Sequence, residues 1–368
     1  MPGLPPRTKT FLAGAGLGIE VDSPGPALSD WLAEFWRPWL ADTPATPPAA
    51  ARLRIEIGPA CLAQALHGAT ATGERAHCFT FDNGGGDWTL WSSAEGEIAL
   101  DETATVGLVV GGDSPRSIRL LADSDGPPVR QAALRAVREV VTAQALAHGA
   151  ASLHAAAVAS GGSVTLFVGP KGAGKTTHLI SALASPGAQY VANDRVLLDT
   201  TAGSYHVRGM PTIVALRAAM LDLFPFLGAE LESGAWHFAS TVREGESARR
   251  AGRAAAGLPL RRPPGISPAQ LCALLHRSPA AGGTVERIVF PRIEPAHGPG
   301  LSLRPLRRGE AASRLLAEGL VAGGRTASYL TGAAEPDLAS LESLLEGLVR
   351  DTPCFEGVLG SAPAQAVA

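Results

Sequence analysis

A glycine-rich stretch near the middle of the chain has the residue types and spacing of a phosphate-binding loop. The eight residues from Gly169 to Thr176, GPKGAGKT, match the pattern G-x-x-x-x-G-K-[ST] at each fixed position. Glycines allow the backbone to turn so that successive N–H groups point at phosphate oxygens, and the following helix directs its positive end at the same anion. Lys175 would reach the β- and γ-phosphates, and the Thr176 hydroxyl would ligate Mg²⁺. The motif predicts a nucleoside triphosphate site; the alternative is a glycine-rich turn that fits the pattern by chance.

The predicted nucleotide-binding residues are the consecutive positions of this loop and the start of its helix. They are Gly169, Pro170, Lys171, Gly172, Ala173, Gly174, Lys175, Thr176 and Thr177. The loop lies between an apolar run, SVTLFV, and a helical pattern, THLISAL, and this strand–loop–helix context is the one that a phosphate loop requires. We expect ATP, or another nucleoside triphosphate, as the bound nucleotide and Mg²⁺ as its cation.

Two further polar residues lie on either side of the loop in the sequence. His154 stands in an apolar strand, SLHAAAV, which ends at a Ser160-Gly-Gly162 turn and so should pair with the loop strand as a hairpin. Asp194 follows another strand, AQYVA, where an acidic residue can bind Mg²⁺ or accept a proton. The alternatives are that His154 is an ordinary strand histidine and that Asp194 caps the turn after its strand.

The composition is that of an ordinary globular protein: among 368 residues, 46% are hydrophobic and 18% are charged. A net charge of −3 does not favour a nucleic-acid partner. No run approaches 18 apolar residues, and Glu20 interrupts the apolar N-terminal stretch, so we expect neither a membrane span nor a signal peptide. The four cysteines lie far apart without a C-x-x-C pair, which argues against a zinc site and a disulfide framework. These features predict a cytoplasmic protein.

The length and the residue patterns predict two domains joined by a helix. Residues 1–125 are predicted as a smaller, mainly antiparallel α+β domain without a catalytic constellation. Residues 126–149 are predicted as the connecting helix, because a proline pair opens an apolar periodic pattern that ends at Gly149. Residues 150–368 are predicted as the domain that carries the phosphate loop.

The finer pattern predicts several individual elements in each domain. In the first domain we expect one strand at 10–21, a helix at 27–40 and mostly strands from Arg52 onward. In the second we expect helices at about 217–227, 310–320 and 336–349. The arginine-rich segment 240–265 is interpreted either as a solvated basic loop or as a loop that closes over a phosphate or an acidic substrate.

The segment LHAAAVASGGSVTLFVGPKGAGKTTHLISALASPGAQYVANDRVLLD resembles the catalytic core of the HPr kinase/phosphorylase family. That family has a histidine strand, a glycine turn, a phosphate-loop strand, a helix and an acidic pair in this order and at similar spacing. The family also has related members that phosphorylate peptides in biosynthetic clusters. The resemblance covers about residues 150–220. It implies an α/β P-loop kinase core of the HPr kinase C-terminal-domain type, which is similar to PEP carboxykinase.

The resemblance also implies roles for individual residues. Lys175 and Thr176 would hold the triphosphate and Mg²⁺, with the His154 side chain close to the phosphates. Asp194 matches the second acid of the family's Asp-Asp pair, which serves as base and metal partner, whereas the first position is Asn193. Thr177 stands where the HPr-specific enzymes commonly have glutamate, and their C-terminal substrate signature is not found. These departures argue against HPr as the substrate and against the reverse, phosphorylase reaction.

The function expected from these residues is an ATP-dependent transfer of phosphate to a serine or threonine hydroxyl of a peptide or protein. In that reaction Asp194, His154 and Lys175 are the catalytic candidates, and Thr176 and Asp194 are the metal candidates. Three alternatives stay open: an NTPase without an acceptor, a non-catalytic nucleotide-sensing scaffold, and a small-molecule kinase. The sequence does not identify the acceptor or the oligomeric state, for which a homo-oligomer is one option.

Overall fold

The chain folds as a mixed α/β protein with two large mixed sheets. The computed structural model describes residues 7–14, 17–37, 39–42, 51–58, 61–72, 75–80, 87–93, 96–101, 106–111, 116–232, 265–294, 296–297, 300–321, 330 and 337–360. These residues form two compact units. The first consists of the residues up to Ala147 together with Leu330, and the second of the other described residues from His148 onward. None of the helices within these ranges has the length and apolar content that crossing a bilayer requires.

Within its described residues up to Ala147, the first unit has one nine-stranded sheet with three helices. Its strands are β1 (Thr8–Gly14), β2 (Leu17–Ser23), β3 (Ala41–Asp42), β4 (Ala51–Ile57), β5 (Arg75–Thr80), β6 (Asp87–Ser93), β7 (Gly96–Asp101), β8 (Val106–Gly111) and β9 (Arg116–Ala122). Its helices are α1 (Pro26–Trp36), α2 (Cys61–Thr72) and α3 (Pro127–Ala147). The strand order is β3-β1-β2-β4-β9-β8-β7-β6-β5, in which β2, β4 and β9 run parallel and the other neighbours antiparallel. Alternating strands such as β4 bury one face under the helices.

Several predictions for this unit are confirmed and others are wrong. The strands expected from Arg52 onward include β5 and β6, which pair antiparallel, while the residues that connect them lie outside the described ones. The single strand predicted at 10–21 is instead an antiparallel pair, β1 and β2. The helix predicted at 27–40 ends at Trp36, because Arg37 precedes Pro38 and takes an extended conformation. Helix α2 was not predicted, since strand patterns dominate the sequence around it.

The helix predicted as a connector is α3. Among the described elements it packs against β2, β4, β8 and β9, so it belongs to the first unit and covers its sheet. The helix is amphipathic because its buried side chains recur at helical spacing; they include Val129, Ala133, Val137 and Val140. The amide of Gln144 exchanges two hydrogen bonds of 2.8 Å with the backbone of Gly18.

The second unit is built on the other nine-stranded sheet. Its strands are β10 (Ala151–Leu153), β11 (Ala155–Ser160), β12 (Ser163–Val168), β13 (Gln189–Ala192), β14 (Arg195–Thr201), β15 (Ser204–Met210), β18 (Gly282–Ile293), β19 (Leu301–Pro305) and β20 (Cys354–Leu359). A separate two-stranded sheet consists of β16 (Val214–Ala215) and β17 (Gly265–Ile266). The central strands β12, β18 and β20 run parallel, and the main order is β10-β14-β15-β18-β12-β11-β13, with β20 on β18. The core strands are buried on both faces, as parallel strands usually are.

Helices in this unit follow the strands closely. They are α4 (Lys175–Leu183), α5 (Ala218–Leu223), α6 (Pro225–Glu232), α7 (Pro268–Leu274), α8 (Arg308–Arg314) and α9 (Leu338–Asp351). The helix predicted at 217–227 is two helices, and the one predicted at 336–349 is α9. The α-helix predicted at 310–320 is confirmed only as far as Arg314, because residues Leu315–Gly319 form a π-helical turn. Most of the arginine-rich segment, residues 240–264, lies outside the described residues.

Candidate phosphate-binding site

Three strand ends meet at the edge of the second sheet where the glycine-rich loop begins. Strands β11 and β12 form the predicted hairpin, with Ser160 paired to Ser163 across a two-glycine turn in which both glycines have positive φ. Ala155 pairs with Val168, so the register brings His154 level with the first loop residue, Gly169. Because β13 also pairs antiparallel with β11, its carboxyl end and the carboxyl end of β12 point the same way.

The strand predicted to contain His154 is interrupted at that residue. Strand β10 pairs with β14, whereas β11 pairs with β12 and β13, so the chain changes partners at His154. The backbone N–H of His154 donates to Gly319 O of the π turn at 2.7 Å. Leu153 forms an isolated bridge with Leu320. The regular strand is thus broken at His154, whose side chain is half-buried.

The loop glycines are required by backbone geometry. Gly172 and Gly174 have φ of 95° and 99°, a region that side chains other than glycine rarely adopt. A Cβ on Gly174 would also lie 2.7 Å from Ile293 Cδ1, and one on Gly169 would lie 3.0 Å from Ala173 Cβ. The loop residues 170–172 are exposed, whereas Thr177 at the start of α4 is buried. The pattern of glycines therefore follows from a tight loop that is packed against β18.

Lys175 folds back over the loop that precedes it. Its Nζ atom donates to Gly169 O at 2.5 Å and to Pro170 O at 3.1 Å. Burial lowers the pKa of Lys175 to about 8; the charges of Asp194 and Glu318 act in the opposite direction, and that of Arg217 adds to the lowering. The ammonium therefore lies against the carbonyl oxygens of the first two loop residues, where an anion bound to the loop could compete for it.

His154 and Asp194 form a direct pair. The distance from His154 Nε2 to Asp194 Oδ1 is 3.1 Å, and both side chains remain about 30% exposed. Burial acts to raise the pKa of Asp194, but the hydrogen bond from His154 and the charges of His154, Arg195 and Lys175 outweigh it and lower the pKa. Asp194 is therefore held as a carboxylate at the edge of the site, with one oxygen left without a histidine contact.

Asn193, the neutral neighbour of Asp194, points into a structural network instead. Its Oδ1 atom accepts hydrogen bonds from Tyr190 Oη at 2.5 Å and from Thr212 Oγ1 at 3.1 Å. Tyr190 is fully buried, and burial raises its pKa well above the ordinary value, so its hydroxyl stays a donor. Both lone pairs of the amide oxygen are occupied, and Asn193 has no acceptor left for a ligand.

The helix after the loop is anchored by a buried histidine that the sequence did not single out. The ring of His178 is fully buried, with Nδ1 3.1 Å from Gly174 O and Nε2 3.0 Å from Gly357 O of β20. Burial lowers the pKa of His178, and the two carbonyls act against this. His178 therefore links the loop's last glycine to the neighbouring strand.

Two charged residues from distant parts of the sequence act on Lys175 and were not predicted. Glu318 belongs to the π turn, and Arg217 directly precedes α5. Arg217 is exposed and makes no ion pair within the described part of the chain. No spacing rule relates either residue to the loop, because each reaches it through the sheet topology. The sequence signal that was available is only that of a single acid in an apolar helical pattern, LLAEGL.

The donor atoms at the loop suit a hard divalent cation. In the described ranges, no three His, Cys, Asp or Glu side chains come together to hold a metal ion by themselves. Mg²⁺ at a nucleotide site needs only one or two carboxylates, because phosphate oxygens and waters supply the other ligands. Thr176 and Asp194 are oxygen donors of this kind, and one carboxylate oxygen of Glu318 is buried without a hydrogen-bond partner among the described residues. The residues present fit such a cation.

No protein-family model matches the chain, and no curated protein is similar to it in sequence.

Proposed function

We propose that the protein is an ATP-dependent phosphotransferase that phosphorylates a serine or threonine hydroxyl of a peptide or protein. The proposal includes a kinase core of the type implied by the resemblance to HPr kinases. The observation that carries it is the 3.1 Å pair of His154 and Asp194, which shares a sheet edge with Gly169 and the buried Lys175. A nucleotide-binding loop alone would account for binding, whereas an oriented carboxylate beside it supports transfer.

The chain's own residues supply most of what the reaction needs. The acceptor oxygen attacks the γ-phosphorus, the new O–P bond forms as the bond to the β-phosphate oxygen breaks, and ADP leaves. Asp194 accepts or orients the hydroxyl proton, and its lowered pKa keeps it ionised for that role. His154 holds the carboxylate in position through Nε2. Lys175 neutralises charge that develops on the phosphate oxygens.

The loop backbone and the helix after it bind the phosphates. The first turn of α4 presents N–H groups that have no partner inside the helix, and these groups favour an anion. When Mg²⁺ is bound, Thr176 and Asp194 would hold it, and its charge would offset that of the triphosphate. The buried face of α4, with His178 between two carbonyl oxygens, keeps these groups in a fixed position.

The two loop lysines provide a matched test of nucleotide binding. Lys175 is buried and bonded to loop carbonyls, whereas Lys171 is exposed on the same loop. We expect Lys175→Ala to weaken ATP binding about 100-fold, on the scale of a lost charge-assisted bond in a shielded site, and Lys171→Ala to change it less than threefold. Titration calorimetry with ATP measures both. Equal effects of the two substitutions would contradict a phosphate role for this loop.

Transfer is tested with γ-labelled ATP, candidate acceptor peptides and proteins, and a panel of metabolites. Label on a peptide or protein is the expected result. Release of free phosphate alone would favour an NTPase, label on a metabolite a small-molecule kinase, and binding without turnover a nucleotide-sensing scaffold. The feature that most favours a nucleotide-sensing scaffold is Asn193, because its amide oxygen already accepts two hydrogen bonds and has no lone pair left for a ligand.

A further inference from the structure

Glu318 has a carboxylate oxygen that is shielded from solvent and lacks a hydrogen-bond partner. Within the described residues Oε2 is one of few buried side-chain atoms in this condition. Arg314 forms an ion pair with it, but its Nε lies 3.9 Å from Oε2, beyond hydrogen-bond distance. Arg314 in turn has its guanidinium over the Phe290 ring, 4.6 Å from the centroid. A buried carboxylate oxygen without a hydrogen bond is destabilising, and a bound ion or water molecule is one of the reasons why such an atom persists.

The π turn fixes Glu318 beside the phosphate loop. Gly319, the next residue, accepts the 2.7 Å bond from His154 N, and a Cβ on it would lie 2.9 Å from Val168 Cγ1. Val168 is the last residue of β12 and directly precedes the loop. The charge of Glu318 also acts on Lys175, raising its pKa against the effect of burial. π turns are rare, and they occur frequently at functional sites.

A carboxylate beside the phosphate loop repels a bound triphosphate, so this position is unfavourable for nucleotide binding unless the charge is offset. The usual remedy at phosphate sites is a divalent cation that is shared between carboxylates and phosphate oxygens. Asp194 can supply one carboxylate. Asn193 cannot supply a second acceptor, since Tyr190 and Thr212 already occupy its amide oxygen.

We infer that Glu318 supplies the second carboxylate for the divalent cation of the nucleotide, with Oε2 taking either the cation or one of its water molecules. This inference rests on the proposed nucleotide site and extends it to a residue from another part of the fold. The acidic pair is then assembled from two elements, the turn after β13 and the π turn, instead of two adjacent positions in the sequence.

The test uses Mn²⁺ in place of Mg²⁺ with the β,γ-imido analogue of ATP and the full chain. Electron paramagnetic resonance measures Mn²⁺ bound in the ternary complex, and calorimetry measures the analogue with Mn²⁺ or with EDTA. We expect Glu318→Gln to weaken Mn²⁺ binding by about 10- to 100-fold. In EDTA the same variant should bind the analogue as tightly as the wild type or more tightly, because one repulsive charge is gone. Glu310→Gln, an exposed acid on α8, is the control that should change neither value.

Each other outcome overturns the inference. Glu318→Gln with wild-type Mn²⁺ affinity would show that Oε2 does not contact the cation or its water. Equal losses with and without metal would show a structural effect. If this variant does not fold, Glu318→Asp, which retracts the carboxylate by one methylene, replaces it, and an unchanged Mn²⁺ affinity there has the same consequence. A wild type that binds the analogue in EDTA but gains nothing from Mn²⁺ contradicts this inference alone. A wild type that binds no nucleotide in either condition contradicts the proposed function as well.

Discussion

The two units contain carboxylates in contrasting settings: Glu56 in the first is paired with arginine, whereas Asp194 and Glu318 in the second are incompletely paired. In the first unit, Glu56 on β4 accepts two hydrogen bonds from Arg119 of the parallel neighbour β9, at 3.1 and 3.0 Å, and Arg54 lies 3.1 Å away. In the second, Asp194 keeps one oxygen without a histidine contact, and Glu318 has a buried oxygen without a hydrogen bond in the described structure. Paired charges stabilise a sheet, whereas incompletely paired charges at one sheet edge are available to a ligand.

The largest expected effect is on catalysis in the second unit. Asp194→Asn should lower phosphoryl transfer about 1,000-fold, because the amide cannot accept the hydroxyl proton, while ATP binding measured in EDTA changes little. Asp199→Asn is the control, since Asp199 is an acid of the same unit that is already paired with Arg208. Single-turnover transfer from γ-labelled ATP checks both variants. Comparable rates for Asp194→Asn and Asp199→Asn would remove the distinction between available and paired carboxylates.

The next effect concerns backbone positions of the loop. Gly174→Ala adds a Cβ 2.7 Å from Ile293 at a φ of 99°, so we expect a loss of about 2–4 kcal/mol in the free energy of unfolding. Gly161→Ala has the same positive-φ problem in the β11–β12 turn but open space around it, and should cost only about 1–2 kcal/mol. Urea unfolding measures the difference between the two losses, most of which we attribute to the contact of the new Cβ with Ile293. Similar losses for both glycines would mean that the loop is not packed tightly against β18.

The smallest expected effects are changes in the stability of the folded protein, and they differ between the two units. Glu56→Gln should destabilise the protein by about 0.5–1 kcal/mol at pH 7, a modest value because Arg119 is 40% exposed. Glu318→Gln should leave stability nearly unchanged, since Oε2 accepts no hydrogen bond and its ion pair with Arg314 is long, at 3.9 Å. The thermal midpoints of the two variants check this contrast. A fall for Glu318→Gln as large as that for Glu56→Gln would indicate that Glu318 is satisfied within the folded protein.

The stability difference between the wild type and Glu56→Gln should depend on pH, because the pKa of Glu56 is lowered in the folded protein. The hydrogen bond from Arg119 is the main factor that lowers the pKa of Glu56 below its ordinary value of 4.5, against the effect of burial. Its contribution to stability is therefore fully present above about pH 4.5 and disappears as the pH falls through the lower folded value. The difference between the wild type and Glu56→Gln should narrow over that interval in unfolding experiments.

The predictable part of the fold is the part in which local patterns agree with tertiary structure. The β11–β12 hairpin, the strand before the loop and helix α4 follow from apolar runs and glycine turns, and all three are confirmed. Helix α2 and the split of residues 10–21 into two strands were not predicted, because their local patterns are ambiguous between helix, strand and turn. Strand pairing in a mixed sheet depends on long-range contacts that no short window contains.

The sequence by itself determined the loop, its helix and the positions of His154 and Asp194, because these depend on residue types at fixed short spacing. Only the tertiary structure decided that His154 contacts Asp194, that the oxygen of Asn193 is already bonded, and that Glu318 and Arg217 act on Lys175. The physical reason lies in the register of the sheet. Pairing of β11 with β12 and β13, and of Leu153 with Leu320, brings together residues that are far apart along the chain.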